Sequence, residues 1–268
     1  MQTQNATPKE IDQKYQYRIT RDGKIVKIDA EGLYYRELNS LLRQLINADG
    51  IERMDIHNVC GQRYIGTALD TNIQIDIYGT PGNDLGAFMS GPKLNVHGNA
   101  QDGCGNTMNE GEIVIEGHAG DVTGNSMRGG KIFVRDYVGY RVGIHMKEYK
   151  NKVPQIVVGQ TAGDFLAEYM AGGVMLILGL NLKEGEKCMA RFVGTGMHGG
   201  VIYERGEILC PVNGTKTLPV GKRDMKTIEG LVNEYCRHFG TDPKAILNGK
   251  FKKILPLSKR PYEKLFSH

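Results

Sequence analysis

A repeat of nineteen residues constrains this chain more than any other feature. Each repeat contains a glycine and, three positions later, a methionine. The glycines are Gly86, Gly105, Gly124 and Gly143, and the methionines are Met89, Met108, Met127 and Met146. A period of this length is typical of solenoids, in which each repeat forms one coil and packs on its neighbours.

A short stretch of alternating apolar residues follows each methionine. The apolar side chains lie five and seven positions on: Leu94 and Val96, Ile113 and Ile115, Ile132 and Val134. This period of two predicts a short strand with one buried face, which needs the equivalent strands of neighbouring coils as partners. Since parallel crossovers are usually right-handed, we predict a mainly β fold, a single-stranded right-handed parallel β-helix of about seven coils. The left-handed hexapeptide solenoid is disfavoured, because no aliphatic residue recurs every six positions.

Glycine is concentrated in the repeat region, with 28 of the 36 glycines between Gly61 and Gly206. The same region is rich in Ile and Val, so it is predicted to fold rather than to act as a flexible linker. Pairs of glycines two and three positions after a methionine predict a recurring corner, because tight turns need positive φ or close backbone approach. Asn106 and Asn125 are predicted to occupy left-handed turn positions.

Two insertions interrupt the period, and both ends of the chain lack it. Five extra residues fall within the charged stretch 147–154, and eight fall near 181–188. We predict an α/β cap over 1–51 with a hairpin and a helix, a β-helix over 52–215, and a helical basic tail over 216–268. In that tail we expect helices from Lys226 to Phe239 and from Pro243 to Leu247, then no regular structure through Pro256. Helices at both ends are expected to cover the open coils, which would otherwise expose unpaired backbone.

Composition excludes several classes of function. Net charge is +4, and residues 222–268 carry +6 from eleven basic and five acidic residues. No aromatic-plus-basic stacking motif accompanies this charge, so nucleic acid is not predicted as a partner. The five cysteines form no C-x-x-C pair, which argues against a disulfide framework or a metal cluster in this chain. The longest apolar run, Val174 to Leu178, is too short for a membrane span, and a cytoplasmic location is expected.

Three motifs could indicate chemistry, and each has a structural interpretation that fits better. The G-x-G-x-x-G match from Gly194 to Gly199 precedes a strand instead of the helix that a dinucleotide site requires. The methionine column is typical of adaptable core filler rather than a soft-metal site. His145 and His198 have no acidic or cysteine partner at ligand spacing. We therefore predict no catalytic, cofactor-binding or metal residue.

The charged insertion 147–153 is the first predicted partner surface, because the regular coil is interrupted there, and the basic tail is the second. His145 and His198, near repeat corners, are added as predicted contacts. These contact residues are Lys147, Glu148, Tyr149, Lys150, Lys152, His145 and His198.

Several segments of the repeat resemble the GXGXG domain at the C-terminus of the glutamate synthase large (alpha) subunit. They are GTPGNDLG at 79–86, GDVTGNSMRGG at 120–130, GYRVGIHMKEY at 139–149, EYMAGG at 168–173 and GMHGG at 196–200. The likeness covers about 52–210 and is closest to the free-standing form of the domain, found where the enzyme is split into separate chains.

The resemblance implies a scaffold role. In glutamate synthase one domain releases ammonia from glutamine, and a flavin and iron–sulphur domain adds it to 2-oxoglutarate. The β-helix domain holds these parts together. By resemblance, the partners are a glutaminase-type amidotransferase subunit and a synthase subunit that holds FMN and an iron–sulphur cluster, with no cofactor in this chain. A homo-oligomer, a scaffold like the related β-helix domain of formylmethanofuran dehydrogenase, and an autonomous β-helix enzyme or binding module stay open as alternatives.

Overall fold

The computed structural model describes residues 15–47, 50–182, 191–206 and 214–258. Twelve strands within these ranges form one sheet in the order β1 to β10, then β12 and β11. The strands are β1 Ile19–Asp22, β2 Ile25–Asp29, β3 Arg53–Cys60, β4 Gln74–Thr80, β5 Ser90–His97, β6 Glu110–Ile115, β7 Lys131–Val134, β8 Gln155–Val158, β9 Ala171–Ile177, β10 Gly199–Arg205, β11 Thr215–Pro219 and β12 Phe251–Pro256. A 3₁₀ helix covers Gln16–Arg18, and the α-helices are α1 Tyr35–Ile46, α2 Lys222–Phe239 and α3 Pro243–Leu247.

The predicted parallel β-helix is confirmed as a mainly β solenoid of about six turns, close to the seven coils expected. From β2 to β10 each strand pairs in parallel with the next. The register places equivalent residues of successive coils side by side, so the buried residues form one continuous inward column. Its members include Ile75, Leu94, Ile113, Ile132, Ile156 and Met175.

A six-residue corner precedes each strand from β5 to β9, and three alternate residues in it have positive φ. In one corner these are Val122, Gly124 and Ser126, at 50°, 72° and 53°. The prediction that Asn106 and Asn125 take the left-handed positions is wrong, because their neighbours Thr107 and Ser126 take them.

Hydrogen bonds between coils fix the corners. The N–H groups of Gly103 and Thr107 donate to the following coil, to the carbonyls of Asp121 at 2.9 Å and Asn125 at 2.7 Å. The N–H of the middle residue, Gly105, donates in the opposite direction, to Leu85 at 2.8 Å. This alternation ties every corner to the coils on both sides and keeps its backbone groups satisfied.

The methionine column lies in the core, as predicted. Met89, Met108 and Met146 are fully buried. Each extends its terminal methyl over a glycine of the next coil, and a Cβ on Gly173 would lie 3.0 Å from Cε of Met146. The glycine columns therefore leave room for the methionines, since any larger residue would overlap them.

The C-terminal part departs from the prediction in two respects. The segment through Pro256, expected to be irregular, forms β12, which pairs antiparallel with β10 and β11. Without it the far edge of β10 would present unpaired backbone groups, and strand addition satisfies them. The open end at β10 is therefore closed by strands, whereas a covering helix was expected there.

Helix α2 lies on the outer face of the sheet. An outward column of apolar residues meets the buried face of the helix in a second core of its own. The column consists of Val114, Phe133, Val157, Leu176 and Tyr203, and the helix contributes Ile228, Leu231, Val232, Tyr235 and Cys236. The Tyr235 hydroxyl also donates to the carbonyl of Arg135 at 3.0 Å.

A single sheet crosses both predicted segment boundaries, because β2 pairs with β3 and β10 pairs with β12. The three-segment division itself stays a prediction. Within the described ranges, no helix combines the length and apolarity needed to cross a bilayer.

Candidate partner surface

Large side chains occupy the outward corner positions on three successive coils at the β10 end of the solenoid. This corner patch consists of Arg141, His145, Phe165, Tyr169 and Phe192, with φ between 52° and 63°. Each left-handed residue with a Cβ costs about 1–2 kcal/mol. Burial does not offset that cost, since Phe192 is 51% exposed and Tyr169 is 37% exposed. The corner at residues 103–107 has Gly103 and Thr107 at the same positions.

The patch is held rigid by contacts among its own members. Phe165 and Phe192 stack with ring centroids 4.8 Å apart, and His145 stacks on Tyr169 at 5.4 Å. The Arg141 guanidinium lies 4.9 Å from the Phe165 ring centroid, and its Nε donates to Oε2 of Glu168 at 2.9 Å. The result is an ordered aromatic and cationic surface, a composition enriched at the energetic centres of protein interfaces.

The first insertion forms a tight loop beside this patch. The N–H of Tyr149 donates to the carbonyl of Lys152 at 3.2 Å, and the reverse bond is 3.0 Å. Glu148 accepts the Gly173 N–H at 3.1 Å, and Lys152 pairs with Glu110 at 2.9 Å. Glu148 and Lys152 thus anchor the loop, while Tyr149 and Lys150 are exposed at its tip.

A basic groove separates the loop from the corners. It has a volume of about 470 Å³ and is lined by Ser126, Arg128, His145, Lys147 and Tyr149. Ser126 and His145 are equivalent corner residues of adjacent coils, and Arg128 and Lys147 each follow a repeat methionine. The N–H groups of these two basic residues donate to Met108 and Met127, which keeps them one coil apart.

Three of the predicted contact residues are brought together, because His145, Lys147 and Tyr149 share this groove. His198 lies apart from them: its N–H donates to the carbonyl of Met170, and its Nδ1 lies 3.2 Å from the carbonyl of Gly196. The second insertion, predicted near 181–188, lies mostly outside the described residues, which stop at 182 and resume at 191. Whether any of these side chains contacts a partner stays a prediction.

Sequence reasoning missed six residues of the corner patch and the groove. Arg128 and Ser126 are the nineteen-residue equivalents of Lys147 and His145, so the repeat itself could have identified them. Arg141, Phe165 and Phe192 each lie five residues before a repeat methionine, and Tyr169 lies one residue before Met170, but the residue type at these positions varies along the repeat.

A second polar cluster covers the outer face of β3 to β6. His57, Tyr78 and His97 stack with centroids 4.5 and 4.4 Å apart. His97 bridges two carboxylates, Asp76 at 2.9 Å and Glu116 at 3.0 Å. Burial of Asp76 opposes its ionisation, but hydrogen bonds from Gln74, His97 and Asn95 outweigh it and lower its pKa.

The partners of Asp76 belong to its own coil and to the coils on both sides, since Arg53 of β3 pairs with it at 3.2 Å. This cluster therefore joins coils to one another. Among the described residues, no group of three or more His, Cys, Asp or Glu side chains is arranged to hold a metal ion.

Comparison with known proteins identifies two similarities. The family model described as GXGXG motif matches residues 37–257. An uncharacterized protein of Methanocaldococcus jannaschii is 47% identical over 251 residues, and the alignment covers 90% of this chain and 96% of that protein.

Proposed function

This chain belongs to the GXGXG motif family, the family of the C-terminal domain of the glutamate synthase alpha subunit, and we propose that it is a non-catalytic scaffold subunit of a glutamate-synthase-like oxidoreductase. In this proposal it works in the cytoplasm and joins a glutaminase-type amidotransferase subunit to a synthase subunit that holds FMN and an iron–sulphur cluster. The complex would make glutamate from glutamine and 2-oxoglutarate.

The corner patch is the observation that carries the proposal. Five large residues adopt a backbone conformation that glycine would adopt at lower cost, and the rings of Tyr169 and Phe192 remain exposed. Such strain persists where it serves a function. Here the function is contact with another protein, because rigid aromatic and arginine side chains lose little entropy on binding.

The Methanocaldococcus jannaschii relative supports a separate scaffold chain. It is matched over 96% of its own length, so a protein of nearly this extent occurs by itself in that organism. The glycine and methionine columns also support a structural role, since corner geometry and core packing account for them.

Affinity purification of the tagged protein from its own organism tests the proposal. We expect an amidotransferase-type chain and a flavin-containing chain to co-purify, and the eluate to show flavin and iron–sulphur absorbance. Recovery of the protein alone and colourless would overturn the proposal. Co-purification with a molybdenum or tungsten enzyme would replace it with the formylmethanofuran dehydrogenase type of scaffold.

A matched pair of variants locates the contact. F165A/F192A removes the stacked rings of the corner patch, and we expect it to lose at least one partner while staying folded. Y64A/F88A is the control, because both residues are exposed aromatics with positive φ on earlier corners. Equal loss of partners in both variants would contradict the assignment of the patch.

A further inference from the structure

The basic groove beside the insertion loop has the composition of an anion site. Its five lining side chains, Ser126, Arg128, His145, Lys147 and Tyr149, offer hydroxyl, guanidinium, imidazole and ammonium groups, and none is a carboxylate. The volume of about 470 Å³ lies within the range of small-molecule sites in proteins.

The two cations of the groove lack counter-ions. Neither Arg128 nor Lys147 forms an ion pair with any residue in the described part of the chain. They occupy equivalent positions on adjacent coils, where like charges repel across one strand spacing of about 4.8 Å. An anion bound between them would remove this repulsion.

Three acidic residues of the insertion loop and its neighbouring coils are engaged elsewhere. Glu148 accepts the Gly173 N–H, Glu168 pairs with Arg141, and Glu110 pairs with Lys152. These contacts anchor the loop and the corner that form the walls of the groove, and they leave the positive charge inside it uncompensated by those carboxylates.

We propose that this groove binds the phosphoryl group of a small organic phosphate. A phosphoryl group has three terminal oxygens and up to two negative charges, so it can engage the Arg128 fork, the Lys147 ammonium and both hydroxyls together. A carboxylate has two oxygens and one charge and would leave donors unused. The remaining volume accommodates the organic part, with the half-exposed Tyr149 ring at the rim. The proposal does not depend on the scaffold role, although the groove shares His145 with the corner patch.

Isothermal titration of the full chain at low ionic strength tests the site, with inorganic phosphate, AMP and succinate as probes. We expect saturable binding of AMP and inorganic phosphate, and at least tenfold weaker binding of succinate. R128A/K147A should weaken phosphate binding by at least tenfold, since it removes both cations. The control K222A/R223A removes two exposed basic residues at the start of α2 and should change affinity by less than twofold.

Three results would overturn the proposal. They are no saturable binding of either phosphate probe, succinate binding as tightly as phosphate, and equal loss of affinity in the control, which would indicate general charge attraction. Circular dichroism of R128A/K147A should match the wild type, because both side chains are exposed. Loss of partners in the affinity purification would leave these titrations unchanged. Each proposal can therefore be disproved without the other.

Discussion

A Cβ atom on Gly105 would lie 2.6 Å from Cδ1 of Ile132, a core residue of the following coil. Gly105 is the middle residue of its corner, with φ of 67°, and the side chain of any other residue there would enter the core. This relationship explains why glycine recurs every nineteen residues. At Gly86, Gly105, Gly124 and Gly143 the middle corner position combines a left-handed backbone with a core side-chain atom within 3 Å of any added Cβ. The equivalent residue in the corner before β9 is Ala167, where one methyl group is accommodated.

Gly105→Ala should destabilise the protein by about 2–4 kcal/mol, from backbone strain and overpacking together. Gly23→Ala is the control, because that glycine has φ of 57° and open space around it, and it should cost about 1 kcal/mol. Adding Ile132→Val to Gly105→Ala removes the clashing methyl. Urea unfolding should then show a favourable coupling of about 1 kcal/mol. If the losses of unfolding free energy from the two substitutions were strictly additive, the steric clash between residue 105 and Ile132 would be contradicted.

Phe133 and Phe192 allow the loss of a buried and of an exposed phenylalanine ring to be compared. Phe133 is fully buried beneath α2, so Phe133→Ala should cost about 3–5 kcal/mol. Phe192 is half exposed in the corner patch, and Phe192→Ala should cost less than about 1 kcal/mol. Chemical denaturation measures both. Similar losses for the two variants would show that the patch is structural and would weaken its assignment as a contact surface.

Acid should destabilise the contact between α2 and the sheet through Glu112. Burial opposes its ionisation, but hydrogen bonds from His238 and Lys93 outweigh it and lower its pKa to about 2 from 4.5. Because the folded pKa is the lower one, this stabilisation is complete above 4.5 and is lost as pH falls toward 2. Melting temperatures between about pH 2 and 6 should therefore converge for wild type and Glu112→Gln at the acid end. Parallel curves would contradict the assignment.

Thiol reactivity should differ between Cys60 and Cys104. Cys60 is exposed, whereas burial raises the pKa of Cys104 to about 12. At about pH 8 only about one Cys104 in ten thousand would be a thiolate, the reactive form. Peptide mapping after iodoacetamide treatment should find Cys60 modified in the native protein and Cys104 modified only after unfolding. Comparable rates at both sites would show that the core around Cys104 opens readily.

The inward-facing residues of the strands were predictable because apolar residues recur at the same position in each coil. Ile113 and Ile132 lie at the same distance after their methionines, so the stacking of equivalent residues follows directly. The outward column carried a second signal that sequence reasoning did not use. Val114 and Phe133, six positions after their methionines, are apolar where an exposed face would be polar, and they mark where α2 docks.

Strand β12 and the corner patch were harder to predict from the sequence. Phe251–Pro256 contains two lysines and no clean alternation, so only the unpaired edge of β10 explains its strand pairing. The middle glycine of a corner is visible in the sequence, but its outward neighbours include Arg141 and Phe165, residues that rarely adopt positive φ. Their conformation depends on the coils above and below.

Native mass spectrometry of the recovered partners tests most directly whether this chain joins two other subunits. The amidotransferase-type and flavin-type subunits should appear as one assembly when the chain is present. Without it they should appear as separate species, and adding back the wild-type chain should restore the assembly. Formation of the same two-subunit assembly in the absence of the chain would contradict the scaffold role.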